Sequence, residues 1–254
     1  MGEAACSAPS WDSHLPSDKL KGRRILLTGA ASGIARRAAA IFVEEGAVVA
    51  MMDRDADALR RAASEVGGTP VVADVTDEAV VGAAVEEASA ALGGLDGLVN
   101  CAGTSRPGRV EDVDIADWRR VVEINLIGPH IVLRACLPHL RQAPFATVVN
   151  VASGQGLMPA GPSNSAYAAS KGGLINLTRS LAKELAPRIR VNSICPGMVP
   201  TPLTEGRTGD GSQYALKRNA TVLEVAQAIL FMTGPESAFI TGVALPVDGG
   251  RTFH

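Results

Sequence analysis

A parallel β-sheet covered by helices on both faces is the fold class this sequence predicts. Short apolar runs alternate with longer helical patterns nearly throughout the chain. The apolar runs are continuous rather than alternately polar and apolar, as in strands buried on both faces. Helical crossovers between such runs build right-handed βαβ units.

The elements follow in order. Residues 1–20, with Pro9, Pro16 and several serines, are expected to form an N-terminal arm outside the fold. Residues 24–27 read as a buried strand that runs into a glycine-bearing turn at 28–35. An alanine-rich helix continues to Glu45, and Gly46 stops it. Strands are expected at 47–52, 70–73, 95–99, 147–151, 190–194 and 242–246. Helices are expected at 56–66, 78–92, 116–141, 166–185 and 223–232, with a kink at Pro129. Residues 201–219 are glycine-rich and polar and fit neither pattern. With no internal repeat and no interior linker, residues 21–254 read as one domain.

Bulk properties narrow the function. The 254 residues are 46% hydrophobic, 20% charged and only 4% aromatic, so the core must be aliphatic. A formal charge of −2 carries no signature for nucleic acid or an anionic membrane. No apolar run approaches the ~20 residues of a membrane span. The first twenty residues lack the apolar stretch of a signal peptide. Cys6, Cys101, Cys136 and Cys195 are far apart and show no metal spacing. Such cysteines fit a reducing compartment, so a cytoplasmic protein without a metal is expected.

Ligands of open α/β sheets bind outside the carboxyl ends of the strands. Gly29, Asp53, Asp74, Asn100, Ala102, Gly103, Ser153, Pro196 and Gly197 all fall at such ends. In the first turn, Gly29 and Gly33 allow a tight bend close to a ligand, with Ser32 and Ile34 alongside. The helix that follows offers free N–H groups to a pyrophosphate. Asp53 lies 20 residues after Gly33. A carboxylate there accepts from adenosine ribose hydroxyls and repels a 2′-phosphate, which favours NAD over NADP. Arg36, Arg37 and Arg54 stand near enough to soften that preference, and Asp53 alone also fits a helix N-cap.

Tyr167 and Lys171 are four residues apart in a helical run and share one face. An ammonium beside a phenol favours the phenolate and turns a poor base into a usable one. Taken alone, the pair also fits two side chains that merely share a face. Ser153, at a strand end, is placed to donate to a substrate carbonyl. Asn125, inside the long helix, fits either a proton path or a structural hydrogen bond.

Together these residues resemble the short-chain dehydrogenases/reductases over residues 20–250. The resemblance rests on Thr28-Gly-Ala-Ala-Ser-Gly-Ile-Ala35, Asp53, Asp74-Val75, Asn100-Cys-Ala-Gly103, Asn125, Ser153, Tyr167-x-x-x-Lys171, Pro196-Gly197 with Thr201, and Val247-Asp-Gly-Gly250. It implies a Rossmann-like, doubly wound sheet of about seven parallel strands. It also implies Tyr167 as general acid/base and Lys171 as the group that binds the nicotinamide ribose and lowers the Tyr167 pKa. Ser153 would orient the substrate and Asn125 would support a proton relay. Asp74 and Val75 would flank the adenine, and Asn100, Ala102 and Gly103 would line the cleft. Thr201 would hold the carboxamide. The implied reaction is reversible hydride transfer between a secondary alcohol and the cofactor, in a homotetramer or dimer. Ala35 departs from the usual last glycine, and Cys101 from a frequent second asparagine.

Other readings stay open at this stage. They are a dinucleotide sensor without turnover, a methyltransferase on a similar sheet, and an NADPH-dependent 3-oxoacyl thioester reductase. The substrate pocket is expected from loops 104–110, 154–162 and 202–216, the last acting as a lid. Sugars or polyols, steroid-like alcohols, small cyclic alcohols and 3-oxoacyl thioesters all remain candidates.

Overall fold

The computed structural model describes residues 17–159, 163–207 and 209–252. Seven strands form one all-parallel sheet in the order β3-β2-β1-β4-β5-β6-β7. They are β1 (Arg24–Thr28), β2 (Val48–Asp53), β3 (Thr69–Val72), β4 (Gly97–Asn100), β5 (Ala146–Val151), β6 (Ile189–Pro196) and β7 (Ala244–Val247). The order reverses between β1 and β4, the place where such a sheet opens a crevice for ligand. Register keeps the carboxyl ends level: Thr28 pairs with Met52, Asn100 with Asn150, and Val151 with Ile194.

The helices are α1 (Gly33–Glu44), α2 (Ala56–Val66), α3 (Glu78–Leu92), α4 (Ile115–Val122), α5 (Gly128–Leu140), α6 (Gly154–Leu157), α7 (Ser165–Leu185) and α8 (Val222–Thr233). Their ends follow from local chemistry. Asp55 caps α2 by accepting from the Ala58 N–H, and Thr221 with Glu224 forms a reciprocal capping box on α8.

Alternate residues of one strand feed opposite faces. Ile25 and Leu27 pack with Ile41, Phe42 and Ile229, while Leu26 packs with Val85, Leu133 and Cys136. Each such side chain contributes about 2 kcal/mol by leaving water. With so few aromatics, two aliphatic layers carry the fold, as the composition requires.

The long helix departs from expectation. It does not kink at Pro129 alone. Between α4 and α5 the chain makes a π turn, Glu123–Ile127, in which the Gly128 N–H reaches back to the Glu123 carbonyl. Pro129 has no N–H to continue the α pattern, which accounts for a wider turn just before it. The whole run Ile115–Leu140 is long and apolar enough to cross a membrane by length and composition, which sequence inspection overlooked. Val132, Leu133, Cys136 and Leu140 bury its inner face in the second core layer.

Of the expected N-terminal arm, residues 1–16 lie outside the described residues. Residues 17–20 are anchored instead. Leu20 is fully buried, and the Glu45 carboxylate accepts from the backbone N–H groups of Ser17 and Lys19.

Candidate active site

The first turn is shaped by what cannot fit there. Gly29 has φ 69°, and a Cβ on it would stand 2.8 Å from the Ala102 Cα. Only glycine permits that approach. Thr28 staples β1 to the end of β4, its hydroxyl accepting from the N–H groups of Cys101 and Ala102 at 3.1 Å each. Ser32 is the N-cap of α1, yet its side chain makes no cap hydrogen bond. The first amides of α1 are therefore left without that partner. Ala35, in place of a glycine, is fully buried against the core and does no visible harm to the turn.

Asp53 closes one side of this loop. Its carboxylate accepts from the Ala31 N–H and the Asp55 N–H, both at 3.1 Å. The cap of α2 is Asp55, so the N-cap alternative for Asp53 falls away. The neighbouring cations are engaged: Arg36 pairs with Glu65, Arg37 with Glu44, and Arg54 with Asp74. Asp74 also accepts from Thr76 and Arg120. Burial works against its charged form, but these hydrogen bonds prevail and hold its carboxyl below the ordinary range. Gly29, Asp53, Asp74, Val75, Ala102 and Gly103 line a cavity of about 120 Å³.

Gly103 also lines a second cavity, of about 80 Å³, with Ile34, Ser153, Tyr167, Lys171, Pro196, Gly197 and Thr201. The two cavities are thus halves of one cleft along the strand ends. A glycine cradle, uncapped helix amides and a carboxylate beside them fit a dinucleotide.

Ser153 leaves β5 in an extended conformation and caps α6, its hydroxyl accepting from the Gln155 N–H at 3.1 Å. Tyr167 comes from the first turn of α7 and is half-buried. Lys171, one helical turn on, is only 3% exposed. Its Nζ donates to the Val151 carbonyl at 2.8 Å and lies 5.8 Å from the Tyr167 ring centre. Burial lowers the Lys171 pKa to about 8. Burial likewise raises that of Tyr167, against downward pulls from the Ser153 hydroxyl and the Arg207 charge. Burial outweighs those two pulls in this arrangement.

Asn125 makes the hydrogen bonds of a structural role. Its amide sits in the π turn, fully buried. The carbonyl accepts from the Thr104 N–H at 2.8 Å, and the NH₂ donates to the Thr104 carbonyl and the Ser170 hydroxyl. Ser170 in turn donates to the Tyr167 carbonyl at 2.8 Å. Asn125 thereby locks the loop after β4 to the helix that carries Tyr167. Asn100 lies beneath the cleft rather than in it, donating to Asn150 and Pro129. Its own side-chain oxygen is buried without a partner among the described residues. Ser32 and Gly33 line neither cavity, although Gly33 faces Thr201 closely.

A third cavity, of about 420 Å³, opens on the other side of Ser153 and Tyr167. Ser105, Gln155, Asn164, Met198, Leu203, Arg207, Gln213, Tyr214 and Arg251 line it. Of the three loops expected here, each contributes, although residues 160–162 lie outside the described residues. The third loop is pinned at Tyr214, which is 5% exposed and accepts from the Met198 N–H at 2.8 Å. Ser170, Tyr214 and Arg251 escaped the sequence reading. Only Ser170, next to Lys171, carried a local signal.

Comparison with known proteins agrees with this geometry. A family model described as enoyl-(acyl carrier protein) reductase matches residues 29–252. The chain belongs to the short-chain dehydrogenase/reductase family. Among its relatives, 2-(S)-hydroxypropyl-CoM dehydrogenase 3 of Xanthobacter autotrophicus is 35% identical, covering 93% of this chain and 99% of that protein. Trans-4-hydroxycyclohexanecarboxylate dehydrogenase of Sinomonas cyclohexanicum is 38% identical over 93% of this chain and 95% of its own. The solved 3-ketoacyl-(acyl-carrier-protein) reductase of Brucella melitensis, complexed with NADH, superposes with a TM-score of 0.88. It is 35% identical, covering 92% of this chain and all of that one. This short-chain dehydrogenase/reductase is accordingly an oxidoreductase acting on hydroxyl or keto groups, in a family that uses a nicotinamide dinucleotide.

Proposed function

We propose that the chain is an NAD-dependent oxidoreductase that interconverts a secondary alcohol and a ketone, with Tyr167 as general acid/base. The carrying observation is that Ser153, Tyr167 and Lys171 line one cavity, which shares Gly103 with the cavity around Gly29. Bound NAD would supply the hydride acceptor. The protein's part is position and proton transfer. The Ser153 hydroxyl orients the substrate oxygen, and the Tyr167 hydroxyl takes or gives its proton. Lys171, held over Val151, presents its remaining N–H groups to the nicotinamide ribose. Asn125 positions Tyr167 through Ser170.

Asp53 supports NAD over NADP, because the arginines that could bind a 2′-phosphate already pair with carboxylates. Asp74 and Val75 flank the adenine, and Thr201 serves the carboxamide. A homo-oligomer, dimer or tetramer, in the cytoplasm, acting on a small molecule rather than on nucleic acid or membrane, completes the reading. The name of the Brucella protein supports one alternative substrate class, a 3-oxoacyl thioester.

The test is absorbance of reduced nicotinamide with NAD or NADP across secondary alcohols: polyols, steroid-like alcohols, hydroxycyclohexanes and 3-hydroxyacyl thioesters. Turnover with NAD, at least about tenfold faster than with NADP, is expected. No turnover with either cofactor would leave a dinucleotide sensor. A preference for NADP would overturn the role given to Asp53.

A further inference from the structure

The cavity beyond Tyr167 is charged in one sense only. Arg207 and Arg251 line it, and among the described residues no aspartate or glutamate does. The chain as a whole is slightly acidic, at −2, so this is a local reversal. It is also unusual for its surroundings. Arg54, which lines the first cavity, and Arg120 pair with Asp74, while Arg106 pairs with Asp117 and Arg109 with Glu111. Arg207 and Arg251 have no carboxylate partner among the described residues. Their bonds are to neutral oxygens: Arg207 donates to the Leu203 carbonyl and the Ser105 hydroxyl, and Arg251 to the Met158 carbonyl at 2.9 Å.

A guanidinium has five N–H donors in a planar fork, so both residues keep donors to spare. Asp248, the nearest carboxylate in sequence to Arg251, is 7% exposed and does not line the cavity. It accepts from the N–H groups of Gly250, Arg251 and Thr252 and from the Thr252 hydroxyl. Glu205 lines a different groove, with Pro202 and Gly206.

Neither arginine lines the two cavities assigned to the cofactor, so their charge is not spent on its pyrophosphate. Their bonds also fix where they stand. Arg207 is tied to the loop after β4 and the turn after β6, and Arg251 to the end of α6. Between them the neutral polar groups of Gln155, Asn164 and Gln213 complete the lining. The Arg207 charge is close enough to act on the Tyr167 phenol.

Building on the proposed alcohol/ketone chemistry, we infer that the substrate carries an oxyanion, a carboxylate or sulfonate, held by Arg207 and Arg251. The reacting carbon then sits at Ser153 and Tyr167 while the anion anchors the far end. A cavity of about 420 Å³ holds a small ring or short chain between the two. Paired guanidinium groups suit a planar or forked oxyanion better than a neutral hydroxyl.

The test is binding by calorimetry to the full-length enzyme with NADH present. The probes are cyclohexanecarboxylate, cyclohexanesulfonate and neutral cyclohexanecarboxamide. At least one anion should bind ten- to a hundredfold tighter than the carboxamide, the range expected for a charge-assisted contact. In Arg207→Gln and Arg251→Gln the ratio should fall at least about fivefold. NADH fluorescence enhancement checks that both variants are folded. Anions and amide bound alike, or not bound at all, would overturn the inference, as would a preference surviving in both variants. Because no turnover enters, the result stands apart from the assignment of Tyr167. If the neutral alcohols of the activity screen were oxidised while this ratio stayed at one, only the anion subsite would fall.

Discussion

Lys171 is where the site exposes its own cost. An ammonium only 3% exposed has its pKa lowered to about 8 from an ordinary 10.5. A folded-state value below the unfolded one penalises the charged form. The penalty, about 3 kcal/mol, is fully present below pH ~8 and fades as pH rises towards ~10.5. Wild type should therefore gain about 2 kcal/mol relative to Lys171→Met between pH 8 and pH 10, read by denaturant unfolding. A difference that stays flat with pH would mean that Lys171 is solvated. At this scale the sequence is informative where spacing decides the matter. Four residues on a helix bring Tyr167 and Lys171 to one face, and a strand end delivers Ser153 to them. It places Arg207 in the loop 202–216 expected at the pocket but is silent on Arg251, which reaches the cavity from a stretch that no periodicity describes. Asn125 was legible as a buried amide but not as the clamp on Thr104, because that contact spans 21 residues and depends on the π turn.

The elements divide the same way. Continuous apolar runs located all seven strands to within a few residues, because a strand buried on both faces has little freedom in composition. The π turn and the four-residue helix α6 were missed. Both are one-turn features set by local capping and by Pro129, and neither has a hydrophobic period to find. In the proposed reading, the glycine turn is the element that carries cofactor binding. Gly29→Ala adds a methyl 2.8 Å from the Ala102 backbone at φ 69°. Backbone cannot yield as a flexible side chain can, so the turn must move. A stability loss of about 1–3 kcal/mol is expected. Because the same shift closes the cradle, NADH affinity by fluorescence titration should fall at least about tenfold. Unchanged affinity would place the cofactor elsewhere.

On the scale of the whole molecule, the strand ends place the cleft in two halves. One half of the cleft lies at the ends of β1 and β2, with Gly29 and Asp53. The other lies at the ends of β5 and β6, with Ser153, Pro196 and the helix that carries Tyr167. Gly103, after β4, belongs to both and joins them at the point where strand order reverses. At Tyr167, whose proposed part is proton transfer, cofactor affinity and turnover should be separable by substitution. Tyr167 lines the second half and the neighbouring 420 Å³ cavity, but not the first. The direct measurement is a paired one on wild type and Tyr167→Phe: NADH affinity by fluorescence, and turnover of an alcohol that the wild type oxidises with NAD. Affinity should stay within a few-fold, while turnover falls by about 10²–10⁴, the range for loss of a positioned acid/base. Turnover retained in Tyr167→Phe would contradict the account.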